Sequence, residues 1–202
     1  MNYKQLIKER IENFERDYVF IISDFYDITN YETIKSTINR FEKEGYIKRI
    51  LPGLFYKPFY VELINEYSIP SPLDVAKGIA RKYNWNIAPS GDAALNILGL
   101  SNQVVVKYIF ISNGRYASFK YDNFEIDFKK VNNKDINDKS YLSALIIQAL
   151  KTIGKKNITK RQVEYLNKKF NESEKSLLMK ECKTTSVWTY EIIKQICQEK
   201  YV

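Results

Sequence analysis

The chain has 202 residues, 45% of them hydrophobic and 14% aromatic, with a formal net charge of +8 and no histidine. That is enough apolar side chain for one large domain or two small ones, too much for a disordered tail, and basic enough to suit an acidic partner. Without histidine, a Ser-His-Asp triad, a Cys-His dyad and a His-bearing zinc site are excluded. Two cysteines, Cys182 and Cys197, are too few for a disulfide framework and read as small buried apolar residues.

The N-terminal "MNYKQLIKERIENF" lacks the apolar stretch of a signal peptide. No run approaches the roughly 20 apolar residues that cross a bilayer. A soluble, cytoplasmic protein with no membrane contact is expected. Residues 3–15 place Leu6 or Ile7, Ile11 and Phe14 at helical spacing. "YVFIIS" is a short β-branched and aromatic run. Ser23 is the expected cap of a short second helix, "DFYDI", and Thr29-Asn30 the turn and cap before a third, "YETIKSTINRFEKE". Gly45 stops that helix, and "YIKRI" and "LFYK" read as strands around "LPG". Helix, short helix, helix and hairpin within about sixty residues make a winged helix-turn-helix.

The faces of the third helix carry the functional reading. Ile34, Ile38 and Phe41 define its buried side, which puts Ser36, Asn39, Arg40 and Lys43 opposite, with Thr33 and Lys35 at the margins. Such side chains suit base edges and phosphates in double-stranded DNA, Arg40 toward guanine and Asn39 toward adenine. From Lys35 to Lys57 there are six basic and two acidic residues, net +4, so positive charge concentrates where a groove-binding surface is expected. Lys48, Arg49 and Lys57 in the wing are the expected phosphate contacts. Tyr46, Ile47 and Phe55 read as core. The alternative is a small α+β domain that grips another protein through the same face.

Residues 59–71, "FYVELINEYSIPS", look like a crossing to a second domain, with Pro70 and Pro72 as breaks and Pro72 suited to the first turn of the next helix. Two domains are therefore expected, 1–68 and 70–202. In the second, "PLDVAKGIARKY" is a helix with Val75, Ile79 and Tyr83 on one face. "WNIAPSGDAALNILGL" gives a strand, a tight turn at Gly91 and a helix. "QVVVKYIFIS", "YASFKYD" and "FEIDFKKV" are three strands, and the rest is helical: "KSYLSALIIQALKTIG", "TKRQVEYLNKKF", "SEKSLLMKEC" and "SVWTYEIIKQICQEK", with Thr159 and Ser173 as expected caps. This is an α+β unit with an antiparallel sheet and a helical C-terminal part. The Gly91 turn lacks the glycines and lysine of a phosphate-binding loop. Glu125 and Asp127 share a strand face without a third ligand. No catalytic residue, cofactor or metal site is expected. A second basic region, Lys151 to Lys183, holds ten basic and four acidic residues; it reads as a solvated helix surface, or as a patch for an acidic partner protein or additional DNA.

"INRFEKEGYIKRILPGLFYKP" resembles the recognition helix and wing of AbiEi-type antitoxins and related winged-helix predicted transcriptional regulators. "IAPSGDAALNILGLSNQV", followed by strands and "NG", is similar to the second segment of that group. The resemblance covers roughly residues 1–130. It implies a DNA-binding autorepressor that serves as antitoxin of a type IV toxin–antitoxin system and counteracts a nucleotidyltransferase-like toxin. The helices beyond residue 138 are outside the resemblance.

Overall fold

The computed structural model describes residues 2–131 and 136–198, a mixed α+β chain that divides into two compact units. The first holds the residues through Trp85 together with Tyr121–Asn123; the second holds Asn86–Lys120 and the residues from Phe124 onward.

In the first unit, α1 (Tyr3–Asn13) buries Ile7 and Ile11. A single 3-10 turn, Ile22–Phe25, stands where a short helix was expected, and Ser23 does not cap it. The Asp24 carboxylate instead accepts the Ile21 N–H at 2.9 Å. α2 (Tyr31–Lys43) is capped by Asn30, whose Oδ1 accepts the Thr33 N–H at 3.0 Å. It ends before Gly45, whose φ of +72° costs a glycine little. β1 (Lys48–Leu51) and β2 (Leu54–Tyr56) form an antiparallel hairpin with Arg49 opposite Phe55. Ile34, Ile38 and Phe41 of α2 join Ile7, Ile11, Phe20, Phe25, Ile47 and Phe55 in one core. Each such side chain contributes about 1.5–3 kcal/mol on burial, so three of them fix which face of α2 looks outward.

The stretch expected to be a crossing forms a second hairpin, β3 (Tyr60–Val61) paired with β4 (Glu66–Tyr67). α3 (Pro72–Tyr83) follows, capped by Ser71 with Pro72 in its first turn. The expected division after residue 68 falls inside this unit, because α3 packs on it. A Cβ on Gly78 would stand 2.6 Å from Val19 Cγ1 and 3.2 Å from Leu54 Cδ2. Arg81 donates to the Val19 carbonyl and pairs with Asp24 at 3.4 Å. Pro72 opens α3 as expected, and Pro70 lies in the short connection before it.

The second unit has a four-stranded sheet, β5 (Ile87–Ser90), β6 (Tyr108–Ser112), β7 (Ala117–Tyr121) and β8 (Phe124–Lys130), in the order β5-β6-β8-β7. β5 and β6 are antiparallel, but β6 and β8 are parallel, with Tyr108 opposite Ile126 and Ser112 opposite Lys130. The expectation of an antiparallel sheet is corrected: the sheet is mixed. The chain leaves β6, runs out to the edge as β7, and returns as β8 into the place beside β6. The strand expected from Gln103 starts at Tyr108, leaving Val104 and Val106 exposed ahead of it.

A seven-residue helix, α4 (Asp92–Leu98), follows β5. The C-terminal helices are α5 (Tyr141–Ile153), α6 (Lys160–Lys169), α7 (Glu172–Glu181) and α8 (Val187–Cys197). Their core gathers Leu98, Leu145, Ile146, Leu150, Leu166, Leu178, Ile193 and Ile196. Thr159 caps α6 as expected. α7 is capped by Asn171 rather than Ser173, since Asn171 Oδ1 accepts the Glu174 N–H and Glu174 returns a bond to the Asn171 N–H, each at 2.9 Å. The expected end of the last helix, Glu199 and Lys200, lies outside the described residues. No helix among the described residues is long and apolar enough to cross a membrane.

Candidate nucleic-acid interface

With Ile34, Thr37, Ile38 and Phe41 buried, α2 turns Lys35, Ser36, Arg40 and Lys43 to solvent. Thr33 and Asn39 are half-buried at its margins. Thr33 is tied up in the helix start: its N–H goes to Asn30, and its carbonyl accepts from Ser36 Oγ at 3.1 Å and Thr37 Oγ1 at 2.8 Å. The Lys35 ammonium lies 5.3 Å from the centre of the Tyr31 ring. Among the described residues, Arg40 and Lys43 have no ion pair.

Beyond the shared apolar core, Arg49 bonds the hairpin to α2. Arg49 Nη2 donates to Glu42 Oε2 at 2.6 Å and to Asn39 Oδ1 at 3.3 Å, while its Nε donates to Glu42 Oε1 at 2.9 Å. The guanidinium also lies 4.7 Å from the Phe55 ring centre. That hydrogen bonding holds the Glu42 carboxyl below its ordinary range and raises the Arg49 guanidinium. Two of the nine expected contact residues, Asn39 and Arg49, are therefore engaged with each other.

Lys48 points the other way across the pleat, its ammonium 4.8 Å from the Tyr67 ring centre on the second hairpin. Lys57 stands apart from the rest. It lies 5.1 Å from the Tyr46 ring centre and lines a cavity of about 260 Å³ with Glu12, Glu15 and Arg16 beside α1. The structure thus brings Lys35, Ser36, Arg40 and Lys43 onto one open helix face, fixes Asn39 and Arg49 at its border, and sets Lys57 elsewhere.

One cation was not legible as part of this surface. Lys82, on α3, donates to the Pro52 carbonyl at 2.6 Å and so sits at the hairpin turn. Nothing local in the sequence signals a contact across 30 residues. In the second unit, Lys107 stands 3.4 Å from Glu125 and 2.8 Å from Asp127, so the carboxylate pair on β8 is satisfied by a lysine. No cluster of three or more Cys, Asp or Glu among the described residues could hold a metal ion.

A protein-family model matches residues 6–178; its description is DUF6088, a family of unknown function. No curated protein matches the chain.

Proposed function

The chain belongs to the DUF6088 family, whose function is unknown, and from its first unit we propose a winged helix-turn-helix that binds duplex operator DNA and regulates transcription. The observation that carries this is the Arg49–Glu42 bond. It fixes a hairpin beside a helix whose outer face holds Ser36, Arg40 and Lys43 unburied. In this reading α2 enters the major groove, Arg40 takes a base edge, and Lys35, Lys43 and Lys48 meet phosphate. Arg49 acts as a positioning residue. The test is binding of promoter DNA from the protein's own operon across a salt series. Affinity should fall by orders of magnitude from low to moderate salt; a flat response would reject phosphate contact.

The sequence resemblance to AbiEi-type antitoxins supports a further proposal, that the chain counteracts a nucleotidyltransferase-like toxin. Co-expression of the two chains, scored as growth rescue, tests it. A second reading, in which the first unit grips a protein, is favoured by one feature. The tip of the β3–β4 hairpin exposes Leu63 at 93% and Ile64 at 59% between Glu62 and Glu66, an apolar and acidic tip that suits no phosphate.

A further inference from the structure

A second concentration of positive charge lies on α6 and on the 3-10 turn Lys155–Asn157 that leads into it. From Lys155 to Lys169 there are six cations and one acid. Val163, Leu166 and Phe170 turn inward to the helical core. At 100° per residue Arg161 and Lys168 fall on the opposite side and Lys160 at its margin, and all three are exposed. Lys155 and Lys156 are exposed just ahead of them.

One acid, Glu164, lies on α6 among these cations and is itself engaged, and the acids of α7 are used elsewhere. Glu172 pairs with Lys175 at 2.8 Å, Glu174 closes the cap of α7, and Glu181 accepts the Ser140 N–H at 2.8 Å. Among the described residues no ion pair reaches Lys155, Lys156, Lys160, Arg161 or Lys168. Lys160 and Lys168 stand about 12 Å apart along the axis at 1.5 Å per residue. That separation is close to the roughly 12 Å width of the major groove, so the two ends of the face reach phosphates on both of its rims.

We propose that the outer face of α6 is a second DNA-binding surface, which contacts the phosphate backbone without reading sequence. The amides that would read a base edge are occupied. Asn157 donates to the Ile153 carbonyl at 2.9 Å, Gln162 accepts the Thr159 N–H at 2.9 Å, and Asn167 donates to the Ile196 carbonyl at 2.6 Å. A protein partner fits this face poorly, because an interface needs an apolar centre. The large apolar side chain exposed on α6 is Tyr165, and its hydroxyl is packed so closely on Gly99 that a Cβ there would meet it.

The inference shares its ligand with the reading of the first unit, and the experiment separates the two. The full chain, the triple variant Lys160→Gln/Arg161→Gln/Lys168→Gln and Arg40→Ala are titrated by fluorescence anisotropy against promoter duplex and random-sequence duplex over a salt series. Circular dichroism checks that each folds. The triple variant should bind both duplexes about tenfold more weakly, with the slope of log affinity against log salt smaller by about 2–3 units and the promoter-to-random ratio unchanged. If the triple variant misfolds, Lys168→Gln alone should reduce the slope by about one unit. Wild-type slope in these variants overturns the α6 surface and leaves the first-unit reading intact. Unchanged DNA binding with lost affinity for poly-glutamate also overturns it, in favour of an acidic protein. Absence of wild-type binding to either duplex at low salt overturns both.

Discussion

Arg49 Nη2 lies 2.6 Å from Glu42 Oε2, and the two side chains meet as a fork on a fork, joining the first strand of the hairpin to the last turn of α2. Side chains at both ends of the bond remain about one-third exposed or more, so solvent screens it and its worth to the fold is under about 1 kcal/mol. Its larger effect is on charge and position. It neutralises one cation of the hairpin and holds that cation in place.

Glu42→Gln should therefore cost little in chemical denaturation while releasing Arg49. DNA affinity should fall several-fold, because the hairpin loses the bond that sets it beside α2. A rise in affinity, with a salt slope larger by about one unit, would show instead that Arg49 meets phosphate once free.

Acid should weaken the first unit through the same pair and through Arg10–Asp27, bonded at 2.7 Å between Nη2 and Oδ2. Hydrogen bonds from Arg49 and Arg10 hold Glu42 and Asp27 below their ordinary values of 4.5 and 3.8. A depressed carboxyl contributes stability that is present above its unfolded value and lost as pH falls through its lower folded value. Stability measured from pH 6 downward should hold until about pH 4.5 and then decline, and Glu42→Gln should make that decline shallower.

Arg40→Ala should leave the fold unchanged, because the side chain is exposed and has no ion pair among the described residues. In the proposed complex it should lose about 1–3 kcal/mol of specific binding and relax the preference at one base pair. Equal loss on every sequence would reduce Arg40 to a phosphate contact.

Gly78→Ala tests the packing of α3. Alanine gains about 1 kcal/mol in helix propensity. The new Cβ would stand 2.6 Å from Val19 Cγ1, on a side chain only 1% exposed with no room to swing. Overpacking costs about 1–3 kcal/mol, so the variant should unfold at lower denaturant. Increased stability would mean that α3 is only loosely seated.

The thiols should be inert in the folded chain. Burial pushes both Cys182 and Cys197 up to about 11, which leaves few thiolates near neutrality. Ellman's reagent at pH 8 should react slowly with native protein and with both thiols in denaturant. Rapid native labelling would mean that the helices around α7 and α8 open readily.

Much of the first unit was legible because its signals are local. Ile34, Ile38 and Phe41 recur at helical spacing, Asn30 caps the same helix, and Gly45 ends it. What escaped depended on partners far away in sequence. Arg49 read as a phosphate contact, and nothing local showed that Glu42 would hold it. Gly78 lies where Val19 needs the space, a contact across 59 residues that the helix pattern does not signal. The stretch ending at Pro70 read as a crossing between domains because proline interrupts helices locally, whereas the seat of α3 is set by Val19, Asp24 and Leu54. In the second unit, strand propensity located β6, β7 and β8 but carries no information on which edge a returning strand will take.

The strand order β5-β6-β8-β7 has a consequence for how the chain assembles. β5 and β6 meet early, and that leaves the far edge of β6, with Ile109, Phe110 and Ile111, open until β8 arrives. β7 and β8 are joined by a two-residue turn, Asp122-Asn123, so they form a local ribbon that docks as a unit, β8 inward. That docking pairs Tyr108 with Ile126 and Ser112 with Lys130, and it waits on formation of the ribbon. On a ribosome, the unsealed edge of β6 waits through the synthesis of the whole ribbon, and an unsealed edge is where neighbouring chains add on. Yield of soluble protein should therefore depend on the β7–β8 turn more than on any residue of the sheet's centre.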